Sequence, residues 1–448
     1  MNANIDEKIF RAYDVRGTYP DQINENVAYK IACAYIEAIK PKTVVAGRDL
    51  REASEKMFGM VVKALVDRGA NVKDAGQMTN PMIGFAVFNY GFDGGIILSA
   101  SHNPIGYGGM KMFTKDAVTI PGNNEEIKKL TLEGCPKYEG TPGKIEKIDI
   151  FADYLKFVRS QVDITKLTRK KILFDPMYGS VGLILDRLLE GLPVERVDLH
   201  TKPDKTFGGL SEPNPLNVEI QKEALELAQK EKPDFAVMWD GDGDRVFFLD
   251  DNGKFVNAPY ITCLLIEAII KKHPGAKIIG DPRIVWPIKK AVEKCGGELV
   301  ESKSGYRFIK EKMAEVKGQF GCEMTAHYYF AETKNMDNGI IPFLMIWELV
   351  STSGKKLSEL VAPYKENHYM IDEIKYTIED PTRIIAELKK RYADGKTNEL
   401  DGLTVEYPDW RFNLRASNTE PAAKLNLEAR DEKILNDKTA EVSKIIEG

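Results

Sequence analysis

The stretch KIIGDPR, residues 277–283, is an apolar run that halts on aspartate and proline and then supplies an arginine. The same punctuation recurs in TVVAGRD, residues 43–49, and in KILFDP, residues 171–176. Each run has the length and β-branched content of a buried strand that delivers polar side chains at its carboxyl end, where open α/β sheets bind ligands. Segments between them carry helical periodicity: Val27, Ile31, Ala34, Tyr35 and Ala38 share one face, as do Ile220, Ala224, Leu227 and Ala228. Strand, helix, strand repetition implies parallel or mixed sheets, so the chain is expected to hold three related α/β units. Turn-rich stretches at 140–147, 250–253 and 363–368 mark the breaks and predict domains over residues 1–148, 149–251, 252–365 and 366–448. The last, of about 80 residues, is too small for another unit of the same kind.

Composition agrees with several domains, since 448 residues exceed the roughly 250 to 300 that one core can serve. Charged residues make up 29% and hydrophobic ones 43%, the net charge is -5, and no basic patch asks for nucleic acid. The start, MNANIDEKIFRAYD, lacks an apolar core, and the longest apolar stretches, 261–270 and 340–350, are interrupted by Glu267, Pro342 and Glu348. No signal peptide or membrane span is expected. Five cysteines, Cys33, Cys135, Cys263, Cys295 and Cys322, are odd in number and share no CxxC spacing. Neither a disulfide framework nor a zinc site follows, and a cytoplasmic location is the expectation.

The most specific motif is WDGDGDRVFF, residues 239–248. A strand over 235–239 would deliver Asp240, Asp242 and Asp244, alternating with glycines that remove bulk, so that three carboxylates converge. Hard oxygen ligands of this kind suit Mg²⁺ or Mn²⁺. A calcium loop of the EF-hand type would need glycine and glutamate where Arg245 and Asp251 stand. An arginine beside a metal cluster suggests a phosphate that also faces the metal.

Three further clusters carry chemistry. In LSASHNPIGYGGMK, residues 98–111, an apolar run surfaces at Ser101, His102 and Asn103, and Lys111 supplies a cation within one loop's reach. It reads either as a nucleophile loop or as an ordinary strand-to-helix connection. In RASNTEP, residues 415–421, Arg415 offers a fork while Ser417, Asn418 and Thr419 offer short donors, the pattern of a phosphate cradle or of a capped turn. In GCEMTAHYYF, residues 321–330, Glu323, Thr325 and His327 alternate and would point to one side of an extended segment.

In this order the clusters resemble those of the α-D-phosphohexomutases, most closely the phosphomannomutase branch, and the likeness runs from FRAYDVRG, residues 10–17, to RASNTEP. The resemblance implies three related mixed-sheet α/β domains and a smaller C-terminal α+β domain around a central cleft. It implies a Mg²⁺-dependent interconversion of hexose 1-phosphate and hexose 6-phosphate, with mannose phosphates first and glucose or hexosamine phosphates as alternatives. The route would be a phosphoserine and a hexose 1,6-bisphosphate, the latter also serving as activator. Ser101 would carry the phosphate and share Mg²⁺ with Asp240, Asp242 and Asp244. Arg16 and Lys111 would offset charge, Lys111 and His327 are the candidates for proton transfer, and His102 would orient the loop. Tyr13, Arg245, Arg283, Glu323 and Thr325 would contact the sugar phosphate, and Arg415, Ser417, Asn418 and Thr419 would grip its second phosphate. Partners would be small sugar phosphates, without nucleic acid or membrane, and the assembly a monomer or homodimer.

The chain departs from that pattern at several points. Ser99 stands for a threonine, Gly108 for an asparagine, Cys322 for a glycine, Thr325 for a serine and Tyr306 for a histidine. Gly108 is expected to loosen the serine loop. Two other function classes share some of these motifs. A Mg²⁺-dependent sugar phosphatase would have no reason to keep a separate anchor for a second phosphate, and a silent sugar-phosphate binder would not need Ser101 with all three aspartates.

Overall fold

The computed structural model describes residues 5–378, 380–416 and 422–447. By its internal contacts the chain forms two compact units: Met1–Phe255 with Glu332–Leu357, and Val256–Ala331 with Ser358–Gly448.

The first unit holds two sheets. One orders its strands Val15–Thr18, Tyr107–Thr114, Gly94–Leu98, Thr43–Arg48, Asn71–Gln77 and Ile145–Lys147. Its central strand, Thr43–Arg48, runs parallel to both neighbours, while Tyr107–Thr114 returns antiparallel. In the other, Val246–Leu249, Phe235–Trp239, Lys170–Asp175 and Val194–Asp198 lie in that order, and Lys170–Asp175 is again parallel on both sides. Such central strands are covered on both faces and read as continuous apolar runs, as the buried stretches Val44–Val45–Ala46 and Ile172–Leu173–Phe174 show.

Helices Glu25–Ile39 and Val218–Glu231 cover these sheets with the faces expected from periodicity, burying Val27, Ile31, Ala34 and Tyr35 in one and Ile220, Ala224 and Ala228 in the other. Each starts where an asparagine side chain accepts from the first free N–H groups, Asn24 from Asn26 and Val27, and Asn217 from Glu219. Helix Ile340–Ser353, expected within a third domain over 252–365, lies in this unit. Its Phe343 ring sits 5.8 Å from Phe174 and 5.6 Å from Trp239, and Trp347 donates to the Thr168 carbonyl at 3.1 Å.

In the second unit, Glu298–Glu301, Lys277–Gly280, Phe320–Cys322 and Tyr328–Phe330 form a mixed sheet whose central strand, Lys277–Gly280, is parallel on both sides. The C-terminal sheet is antiparallel, ordering Tyr369–Met370, Ala422–Ala429, Trp410–Ala416, Leu403–Glu406 and Lys396–Asn398, with Ile374–Thr377 also on Ala422–Ala429. Helices Pro381–Arg391 and Glu432–Glu447 bury Ile384, Leu388, Leu435, Val442 and Ile446 against Leu403, Phe412 and Leu425.

Three hairpins occupy the same place in the three mixed sheets. Each begins on the strand parallel to the central one and returns antiparallel: Gly94–Leu98 to Tyr107–Thr114, Phe235–Trp239 to Val246–Leu249, and Phe320–Cys322 to Tyr328–Phe330. Their connecting loops carry Ser101, the three aspartates and Glu323. The central strands end alike as well, because Asp49, Asp175 and Asp281 each accept at 3.0 Å from the N–H two residues on, that of Arg51, Met177 and Arg283.

Candidate active site

In the first unit the serine hairpin meets the aspartate hairpin. Ser101 is buried and takes a left-handed backbone, φ 50°, which costs a serine about 1 kcal/mol or more unless its surroundings hold it. The preceding Ser99 does part of that: its Oγ accepts from the Ser101 N–H at 2.9 Å and donates to Asp242 at 2.7 Å. Ser101 Oγ donates to Asp240 Oδ2 at 2.9 Å and lies 3.3 Å from His102 Nδ1. Gly241 makes this approach possible, since a Cβ there would sit 2.8 Å from the Ser101 carbonyl oxygen.

Asp240, Asp242 and Asp244 are all buried, with one carboxylate oxygen from each lying within 4.8 Å of the others. Lys111 Nζ donates to Asp242 at 3.1 Å and to Asp244 at 2.9 Å, Asn80 donates to Asp244 at 2.8 Å, and Arg245 Nε donates to Asp240 at 3.0 Å. Lys111 and Arg245 thus each pair with this cluster, and Asp242 Oδ1 is buried with no hydrogen-bond partner among the described residues. An unshared hard oxygen among three converging carboxylates is what a divalent cation would satisfy, so the donor set fits Mg²⁺.

Burial works to lower the Lys111 pKa, but Asp242, Asp244 and Asp337 outweigh it and hold the ammonium well above its ordinary value. Its two bonds to Asp242 and Asp244 place the ammonium where it offsets the charge of the acidic cluster. Arg16 donates to Asp14 and to the Asn103 side chain of the serine loop. Tyr13 lies half-buried just before Asp14.

Gly108 does not loosen this loop. It sits in the strand Tyr107–Thr114 opposite Gly17, and a Cβ there would come within 2.9 Å of Met57 Cε and 3.2 Å of Ile23 Cγ2. The missing side chain admits core packing from below the sheet.

The second unit gathers a different constellation. Arg283 donates through Nε and Nη2 to Asp281 at 2.9 and 2.7 Å and through Nη2 to Glu323 at 3.2 Å, while its Nη1 lies 3.7 Å from Glu373. Glu373 accepts from Arg415 at 3.1 Å and from Lys424 at 2.6 Å. Burial would raise the Glu373 pKa, but Arg283, Arg415 and Lys424 bring it down to about 2. Arg415 and Lys424 face each other across strands Trp410–Ala416 and Ala422–Ala429, so they flank the RASNTEP loop. Ser417, Asn418 and Thr419 lie outside the described residues.

The expected alternation of Glu323, Thr325 and His327 is not what forms. The segment turns tightly, with Ala326 left-handed at φ 64°, and the Glu323 N–H donates to the His327 carbonyl at 3.0 Å. Glu323 and His327 therefore stand at the two ends of a turn with half-buried Thr325 inside it. Tyr306 begins the helix Tyr306–Val316, and the preceding Gly305 N–H donates to Glu323 at 3.0 Å.

Reading the sequence missed Arg51, Asn80, Glu373 and Lys424. Arg51 had a signal in the aspartate-x-arginine spacing that it shares with Asp281 and Arg283. Asn80, Glu373 and Lys424 had none, since only the fold brings them to their partners.

A serine presented to three convergent carboxylates on repeated α/β hairpins, in a chain that also carries a C-terminal α+β domain, defines the architecture of a phosphohexomutase, an intramolecular phosphotransferase. Sequence comparison agrees along the whole chain. Phosphoglucomutase/phosphomannomutase alpha/beta/alpha domains I, II and III match residues 7–134, 152–253 and 257–367, and the C-terminal domain of that family matches 373–445. The chain belongs to the phosphoglucomutase/phosphomannomutase family. A phosphomannomutase of Salmonella montevideo is 37% identical over 98% of each chain, and proteins of Xanthomonas campestris named phosphohexose mutases are 36% identical over 98% of this chain and 99% of theirs. Among solved structures, a phosphoglucomutase/phosphomannomutase family protein of Burkholderia thailandensis superposes with a TM-score of 0.88 at 26% identity, covering 99% of this chain and 97% of the other. The parafusin phosphoglucomutase of Paramecium shares the fold at a TM-score of 0.78 and 18% identity, over 98% and 95% of the two chains. No helix among the described residues is long and apolar enough to cross a membrane.

Proposed function

We propose that this enzyme interconverts mannose 1-phosphate and mannose 6-phosphate in the cytoplasm, with Ser101 as the phosphate carrier and mannose 1,6-bisphosphate as the intermediate. The observation that carries the reading is Ser101 Oγ held 2.9 Å from Asp240 on a left-handed backbone beside two further buried aspartates. Bound by Asp240, Asp242 and Asp244 together with the Ser101 oxygen, Mg²⁺ would offset the charge of the phosphoserine and of the oxygen that leaves it. In the first half-reaction a sugar hydroxyl oxygen attacks phosphorus, the bond from phosphorus to Ser101 Oγ breaks, the hydroxyl gives up its proton and Oγ gains one. The second half-reaction runs in reverse from the other phosphate, so no cosubstrate is consumed.

Lys111 and Arg16 supply fixed positive charge near the serine loop. His102 orients that loop, and Lys111 and His327 are the candidates for proton transfer at the sugar hydroxyls. Arg283, Arg415 and the RASNTEP residues Ser417, Asn418 and Thr419 would hold the phosphate that is not reacting, with Arg245, Tyr13, Glu323 and Thr325 completing the substrate contacts. A mannose preference is supported by the relatives named phosphomannomutase. Glucose phosphates are the second substrate to try, because relatives at nearly the same identity are named phosphohexose mutases.

The test is a coupled mutase assay on mannose and glucose 1-phosphates with a catalytic amount of the 1,6-bisphosphate, together with the intact mass of purified enzyme. Interconversion with phosphate on Ser101 is the expected result. Release of free phosphate without isomerisation would turn the reading to a phosphatase, and phosphate found only on another residue would remove Ser101 as carrier.

A further inference from the structure

Arg51 is 1% exposed and lies in the first unit, at the end of the central strand that neighbours the serine hairpin. Its guanidinium is turned to backbone carbonyls. Nη2 donates to the carbonyl oxygens of Ser101 at 2.7 Å and Asn103 at 2.6 Å, and Nη1 donates to that of Pro104 at 2.8 Å. Three carbonyls of one short loop thus converge on one planar cation, although carbonyl dipoles of like orientation repel without it. The Phe207 ring covers the guanidinium, with Cζ 5.0 Å from its centroid, and Phe207 is fully buried on its own left-handed backbone, φ 48°. Asp49 lies 3.5 Å from Arg51 Nε and supplies the opposing charge. The three donated bonds fix the backbone of the loop and leave the Ser101 side chain to face the aspartates.

We propose that Arg51 is the positioning residue of the Ser101 loop: its fork, clamped by Phe207, holds three loop carbonyls so that Ser101 keeps its left-handed backbone and aims Oγ along the line of phosphoryl transfer. The inference rests on the reading of Ser101 as phosphate carrier. It goes beyond that reading in assigning the accuracy of the carrier's aim to a buried residue whose fork is turned to the loop's backbone. An in-line transfer is steeply sensitive to placement, and a displacement of about 1 Å costs roughly 100-fold in rate.

The test uses full-length Arg51→Ala, Arg51→Lys, Phe207→Leu and Ser101→Ala enzymes, each read for kcat, KM, thermal midpoint and Ser101 phosphate occupancy. Arg51→Ala should lose roughly 100-fold in kcat per folded molecule with little change in KM. Added guanidinium should recover a large part of that loss, whereas methylammonium should not, because only the planar fork spans the three carbonyls. Arg51→Lys should behave like Arg51→Ala. Phe207→Leu, which keeps an apolar side chain, should fold and lose about 3- to 10-fold in kcat.

Wild-type kcat in Arg51→Ala or in Phe207→Leu would overturn the proposal. So would a loss that follows the unfolded fraction and is not rescued by guanidinium. Full turnover in Ser101→Ala would overturn the carrier reading itself, independently of what the Arg51 variants do.

Discussion

The strand ends at Asp49–Arg51 and at Asp281–Arg283 share a spacing and a backbone hydrogen bond, yet their arginines do different work. Arg51 sends its fork to backbone carbonyls, while Arg283 sends its fork to the carboxylates of Asp281 and Glu323 and lies near that of Glu373. The aspartates register the difference. Burial raises the Asp49 pKa against the pull of Arg51, whereas Arg283 pairs so closely with Asp281 that it lowers that pKa despite burial. A backbone anchor gives one fixed geometry, which would suit Ser101 in its proposed role of presenting a phosphate from a single point. A side-chain network of Arg283, Arg415 and Lys424 with three carboxylates can exchange one anion for another, which would suit the proposed grip on a phosphate that arrives, leaves and returns in the other orientation. The middle strand end departs from both, because Asp175 has Met177 at the arginine's place and pairs with His200 at 3.0 Å instead.

The comparison breaks hardest at the fixed end. Asp242→Asn should lower kcat by roughly 100- to 1000-fold, with Mg²⁺ binding weakened in calorimetry, because the change removes a ligand and a partner of both Ser99 and Lys111. Wild-type turnover and metal affinity would detach the acidic cluster from the chemistry.

At the exchangeable end, Arg415→Ala should raise KM by roughly 30-fold to several hundred-fold, the cost of a charge-assisted contact to phosphate, and should make the rate depend more steeply on added 1,6-bisphosphate. Slow hydrolysis of the Ser101 phosphate by water should be little changed. Equal loss in both rates would instead put Arg415 at the reacting phosphate.

The middle strand end should respond to pH. Burial lowers the His200 pKa, but Asp175 and Glu223 outweigh it and raise it above 6.5. A raised histidine pKa contributes stability that is complete below the unfolded-state value, about 6.5, and is lost as pH climbs through the folded-state value. Urea midpoints should therefore fall as pH rises from the mid-6 range through neutrality, and His200→Gln should flatten the slope. A midpoint that rises with pH would reverse the assignment.

The smallest effect belongs to the departure at Gly108. Gly108→Asn forces side-chain atoms against Met57 and Ile23, so stability should drop by about 1 to 3 kcal/mol, read as a lower thermal midpoint, while kcat stays near wild type. A rise in stability would restore the view that the glycine loosens the loop.

Local pattern made much of this molecule legible from residues alone. The strand expected over 235–239 forms as Phe235–Trp239, and the three quoted apolar runs became the central strands Thr43–Arg48, Lys170–Asp175 and Lys277–Gly280. Burial on both faces leaves a continuous apolar signature, and alternating glycines remove the bulk that would keep three neighbouring aspartates from converging. Where the reading went astray, a turn intervened: Ala326 takes a left-handed backbone without any glycine to announce it, so the alternation of Glu323, Thr325 and His327 was illusory. Tertiary structure alone decided which partners the charged side chains chose. Arg51 finds the Ser101 carbonyl 50 positions away, and Glu373 lies 42 positions from Arg415. Periodicity is a property of a few consecutive residues and survives in sequence. The direction of a guanidinium fork depends on which strand the chain lays beside it, and that is set by the packing of whole sheets.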